Sequence, residues 1–129
     1  EGFHRASLTE HPSCLGVRES RRSNGIYQLT EQDILEGARY DDEVALASWP
    51  IELRETARGP RFRYPIANQP CGIPLRCLQS KDVENLFVAG KCISTTHEAQ
   101  ASIRVIGTCL ATGEAAGIAA AKMAVRTKD

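Results

Sequence analysis

Apolar and polar positions fall into three patterns along the chain. Ile26-Tyr27-Gln28-Leu29 alternates with the period of a half-buried strand, and Cys14-Leu15-Gly16-Val17 is a short apolar run that suits another. Between them a charged run ends in Asn24-Gly25, a dipeptide that favours positive φ in a tight hairpin, so this stretch is expected to be strand, turn, strand. Thr30-Glu31-Gln32-Asp33 then sets a hydroxyl at a helix N-cap and acids in the first turn. Ile34 and Leu35 supply that helix with an apolar side, and Gly37 ends it. A second short helix is expected over Asp42–Ala47, capped by Asp41 and stopped before Trp49-Pro50. Residues 54–74, with Pro60, Pro65, Pro70 and Pro74, read as an extended, irregular crossing.

The last third changes character. Leu86-Phe87-Val88-Ala89 is apolar without alternation and is bounded by Gly90, so it reads as an interior parallel strand with both faces buried. A polar loop over 94–102 separates it from Gly107–Met123, which is dense in alanine and other helix formers. The fold class is therefore α/β, with a buried strand followed by a long small-residue carboxy-terminal helix. The whole chain, 1–129, is expected to be one domain.

Composition narrows the class without naming a chemistry. With 42% hydrophobic and 25% charged residues the chain is an ordinary globular one. Sixteen basic and sixteen acidic residues cancel, which leaves no general field to draw in nucleic acid or an anionic membrane. Five cysteines make no C-x-x-C pair, a pattern of buried thiols in a reducing compartment, and the cytoplasm is the expected location. No close-spaced ligand set predicts a metal site. The chain starts at Glu1 without a signal-peptide pattern and reads as part of a longer protein.

The strand, glycine turn and helix start of the last third form a physical device, because the first turn of a helix leaves N–H groups unpartnered and carries partial positive charge. The helix is lined by Gly107, Ala111, Gly113, Ala115, Ala116 and Gly117, whose small side chains let its backbone lie close to a sheet or a flat cofactor. Close packing in a core without any ligand is the alternative. A membrane span needs about twenty predominantly apolar residues, and Thr108, Thr112, Glu114 and Lys122 interrupt this stretch.

Asn85-Leu86-Phe87-Val88-Ala89-Gly90-Lys91-Cys92-Ile93-Ser94, Thr96-His97-Glu98-Ala99, Ser102-Ile103-Arg104-Val105 and Thr108–Gly117 together closely resemble the end of bacterial FAD-dependent oxidoreductases of the glutathione-reductase-like fold. Gly16-Val17-Arg18-Glu19-Ser20-Arg21-Arg22, followed by Gly25, Tyr27, Leu29, Thr30 and Asp33, is similar to an upstream motif of the same family. The resemblance implies that residues 84–125 form an FAD-contacting strand, loop and helix. Ala89, Gly90 and Lys91 would lie near the ribityl and pyrophosphate region, and Thr108, Cys109 and Leu110 near the flavin carbonyl edge. There a helix dipole would stabilise the charge that gathers on reduced flavin. Lys91 stands where many related flavoproteins carry an acid, and no G-x-G-x-x-G occurs, so the ADP-binding unit lies outside this sequence. This stretch alone is expected to hold FAD weakly or not at all and to turn nothing over.

The same resemblance makes His97 and Glu98 neighbours of the flavin, where an imidazole can exchange a proton with a small-molecule substrate. Arg104 can grip a substrate carboxylate bidentately. Arg18, Glu19, Arg21 and Arg22 can line the substrate side, although a mixed charge run also suits a solvated, salt-bridged face. Structural roles compete for the others too: His97 as a loop cap, Arg104 as the partner of an acid such as Glu98. The expected partners are the substrate and the remainder of the FAD-binding domain, and self-association follows if the apolar helix face is left uncovered. The rival reading is a non-enzymatic packing or partner-binding domain.

Overall fold

The computed structural model describes residues 4–14, 16–66 and 68–126. It is mixed α/β, with helix α1 (Glu31–Glu36), strands β1 (Glu43–Ala47), β2 (Ile51–Leu53), β3 (Arg61–Arg63) and β4 (Cys71–Pro74), and helices α2 (His97–Ile103) and α3 (Ile106–Arg126). Short 3-10 turns occupy Leu75–Cys77 and Gly90–Cys92. The strands form two antiparallel pairs, β1 with β4 and β2 with β3. The core lies where α1, α2 and these pairs meet, around Leu29, Ile34, Ile51, Ile73, Leu78, Ile93 and Ile103, while α3 packs across β1.

Helix α1 follows its sequence signals. Thr30 Oγ1 accepts the Asp33 amide at 3.3 Å while Asp33 Oδ2 accepts the Thr30 amide at 2.7 Å, a reciprocal capping box. Gly37 ends the helix with φ 65°. The hydroxyl of Tyr27 also donates to Asp33, at 3.0 Å, and Tyr40 donates to Tyr27 at 3.3 Å. Burial pushes the Asp33 carboxyl up, but these donors, led by Thr30, outweigh it and hold the group below its ordinary range.

The expected helix over Asp42–Ala47 is a strand. Its Ala, Leu and Glu residues favour a helix locally, but β1 pairs with β4 from Glu43 opposite Pro74 to Ala47 opposite Cys71, with a bulge between Glu43 and Ala45. Ala45 and Ala47 turn inward and Val44 and Leu46 outward, the period of a strand. Residues 54–74 are correspondingly less irregular than their prolines imply, since they hold β3 and β4.

The expected hairpin over 14–29 does not form. Leu15 lies outside the described residues; Gly16 and Val17 are in no strand, Gly25 bridges Ser80, and Leu29 bridges Thr95. Gly25 does not take a positive φ. What requires glycine there is space, because an added Cβ would stand 2.6 Å from Ser94 Cβ and 3.0 Å from Arg76 O. The interior strand expected at Leu86–Ala89 is reduced to a single bridge between Phe87 and Gln79, with Leu86 exposed. Four apolar residues cannot form an interior strand without a ladder on each side, and among the described residues this segment bridges Gln79 alone.

Gly25→Ala is expected to destabilise the protein by about 1–3 kcal/mol, as overpacking does, read as a lower urea midpoint. Asp33 makes a pH-dependent contribution: its folded carboxyl titrates below the unfolded value of about 3.9, so the stabilisation is present above that pH and is lost as pH falls through the depressed folded value. Asp33→Asn should therefore unfold more easily than the native chain at neutral pH, and the gap should close in acid.

Candidate functional site

The segment 17–23 has no regular secondary structure, yet polar ties hold it against the glycine turn and α2. Lys91 Nζ donates to Val17 O at 2.5 Å, Gln100 Nε2 to Arg18 O at 2.9 Å, and the Ser23 amide to Cys92 O at 2.8 Å. Glu19 adds a side-chain tie, 2.8 Å from His97 Nδ1, and forms an ion pair with Arg22. Such a strap folds only with its partners, because every tie joins it to residues about seventy positions away or more.

The polar stretch expected to be a loop over 94–102 contains α2. Thr96 is the N-cap, its hydroxyl accepting the Ala99 amide at 3.3 Å, and Ala99 and Ile103 form a buried side at i, i+4 spacing. His97 is the first residue of this helix, so it caps no loop. Arg104 ends the helix, and its Nη2 donates to Glu52 O at 3.1 Å rather than pairing with Glu98. α3 leaves at 95° to α2. At the start of α3 beyond this bend, the Cys109 amide donates to Val105 O at 3.0 Å, and among the described residues the α3 amides before it have no i−4 helical partner.

The turn at Gly90 docks on α3. Gly90 has φ 70°, and its amide donates at 3.0 Å to the hydroxyl of Thr112, a fully buried residue. That hydroxyl donates in turn to Thr108 O at 2.9 Å. Cys109 lies against the same turn, with its Sγ 3.5 Å from where a Gly90 Cβ would be. Burial pushes the Cys109 thiol above its ordinary range and raises the Cys71 and Cys77 thiols to about 12, so these are poor nucleophiles at neutral pH.

Two adjoining pockets result. One, of about 640 Å³, is lined by Arg18, Lys91, Arg104, Trp49, Glu52 and the Val105-Ile106 start of α3. The other, of about 160 Å³, shares Arg18, Glu52, Ala101 and Arg104 and adds His97 and Glu19. The larger pocket brings three cations and a helix N-terminus against one carboxylate, a setting for an anion or an electron-rich edge. A separate groove of about 410 Å³, lined by Val44, Leu75, Ala115 and Ile118 among others, has fewer convergent polar groups.

Of the residues expected from sequence, Arg18 and Arg104 line both pockets, Lys91 lines the larger and His97 the smaller, and Gly90 and Cys109 lie against each other. Ala89 is half-buried, Thr108 is buried and Leu110 is 70% exposed. Arg21 and Glu98 do not line the cleft. Sequence reasoning missed Trp49 and Glu52, which arrive from β2 and the loop before it, and no local signal marks them. It also missed the roles of Thr112 and Gln100, whose only signal is a polar residue among small and apolar ones.

Across residues 1–129 the chain matches the family described as FAD dependent oxidoreductase. The chain belongs to that family. Neither comparison with curated proteins nor comparison with solved structures gives a match. Membership makes FAD the cofactor of the full-length protein and oxidation or reduction its reaction. No single helix among the described residues is long and apolar enough to cross a membrane.

Thr112→Val should leave the half-buried Gly90 amide without its acceptor and cost about 1–3 kcal/mol. Thr112→Ser, which keeps the hydroxyl, should retain most of that stability in a urea titration.

Proposed function

We propose that this chain is the closing portion of a glutathione-reductase-like FAD-binding domain in a bacterial, cytoplasmic flavoenzyme that moves hydride between a small molecule and FAD. The observation that carries the reading is the convergence of the start of α3 with Lys91, Arg18 and Arg104 on one cleft, in a chain of this family.

The residues fit the cofactor. Gly107 at the start of α3 has open space where a Cβ would be, and Ile106 beside it is 79% exposed, so a flat ring can approach the helix end. Gly90 offers a left-handed turn rather than a donor, since Thr112 already takes its N–H. Ala89, Gly90 and Lys91 would pass the ribityl chain, and the amides around Thr108, Cys109 and Leu110 would face the carbonyl edge of the ring. FAD, when bound, supplies the hydride-accepting chemistry. The chain supplies positive charge from Lys91, Arg18 and the helix end, which favours the reduced, more negative state of a neighbour.

His97 would exchange a proton with the substrate, and Arg104 would bind it. Among the described residues one guanidinium N–H of Arg104 is spent, on Glu52 O, which leaves donors for a carboxylate. The exposed residues Leu110, Gly113, Glu114, Gly117 and Ile118 of α3 would pack against the remainder of the domain, and self-association is the expected behaviour when that face is uncovered. Activity belongs to the assembled flavoprotein, and this stretch alone turns nothing over.

The full-length protein should be purified yellow with a flavin spectrum; a colourless protein that fails to bind added FAD overturns the reading. In the holoprotein, Lys91→Met should lower the flavin midpoint potential by about 30 mV, equivalent to tenfold for a two-electron couple, measured by spectroelectrochemistry.

A further inference from the structure

An imidazole in a cleft can take or give a proton at a chosen atom only if its tautomer is set by what binds the other nitrogen. For His97 that partner is Glu19. Its Oε1 stands 2.8 Å from Nδ1, and among the described residues no hydrogen bond reaches Nε2. A carboxylate accepts and cannot donate, so the bond requires the hydrogen on Nδ1 and leaves the Nε2 lone pair free in the neutral ring.

We propose that Glu19 is the positioning residue of His97, forming a carboxylate–imidazole dyad whose Nε2 is the proton-exchanging atom toward an occupant of the cleft. The catalytic half rests on the flavoenzyme reading above; the tautomer does not. Both side chains line the smaller pocket together with Arg18 and Arg104. Glu19 is itself held in place. Arg22 pairs with the same carboxylate oxygen, and the backbone on either side is tied down through Arg18 O to the wholly buried Gln100 and through the Ser23 amide to Cys92 O. A carboxylate on a loose surface run would not fix a ring, whereas this one has a counter-charge and a pinned backbone. Burial pushes the Glu19 carboxyl up, but the hydrogen bonds from His97 and Arg22 outweigh it and keep the group in its ionised, accepting form. The remaining charged groups lining that pocket are Arg54, Glu52 and Glu55; Glu52 pairs with Arg54, which keeps that acid engaged away from the imidazole.

The test is nitrogen NMR on the full-length holoprotein carrying ring-labelled histidine, with the His97 signals assigned by their loss in His97→Gln. Neutral His97 should carry its hydrogen on Nδ1, read from the two ring-nitrogen shifts and an Hδ1 signal coupled to Nδ1. Glu19→Gln, whose amide oxygen still accepts, should keep that tautomer, and Glu19→Ala should lose the Hδ1 signal while the circular dichroism of the fold is unchanged. A native spectrum with the hydrogen on Nε2 overturns the proposal without any variant being needed, and so does an Hδ1 signal that survives in a folded Glu19→Ala protein. Failure of the flavoenzyme reading would register separately, as absence of bound flavin in the same samples.

Discussion

The hydrogen bond from the Gly90 amide to the buried hydroxyl of Thr112 is the contact on which the candidate site depends. It fixes a left-handed turn against the third helix, and a polar bond in that apolar setting tolerates little displacement. Everything that reaches the cleft from this side follows from it. Lys91 is the next residue, Cys92 holds the strap through its carbonyl, and the open start of α3 lies less than two turns before Thr112. A threonine in a stripe of alanine and glycine thus has a structural task that its neighbours lack.

The second helix is the other fixed body. It is only seven residues long, too short to be stable alone, and it is held by burial of Ala99, Gln100, Ala101, Ser102 and Ile103 against β2 and the strap. Its two ends carry the side chains that matter, His97 at the start and Arg104 at the finish, and both are engaged by groups from elsewhere in the chain, Glu19 and Glu52. Side chains at the two ends of one short helix gain definite positions because the helix between them is rigid.

Legibility from sequence divides by the range of the interaction. Helix α1 could be read to the residue, since Thr30, Asp33 and Gly37 act within one turn, and α3 was visible within one residue at its start because its small helix formers run without a breaker. Asp42–Ala47 was misread because helix propensity is local and pairing with Cys71–Pro74 is not. The polar stretch after Ser94 concealed a helix for a similar reason: the buried side of α2 includes Gln100 and Ser102, which pattern reasoning counts as exposed. In the site, motif resemblance reached His97, Arg104, Arg18 and the glycine turn, whereas Glu52 and Trp49 entered by tertiary folding alone.

The sequence by itself determined the mixed α/β class, the capped helix, the long small-residue helix and the family-like motifs, because each is written in neighbouring residues through capping, periodicity and motif spacing. Only the tertiary structure decided that Gly25 is needed for space rather than for a turn, that β1 is a strand, and that Glu19 stands beside His97 although seventy-eight positions separate them. Those outcomes depend on which distant backbone comes close enough to pair or to exclude a Cβ, and no local pattern encodes that distance.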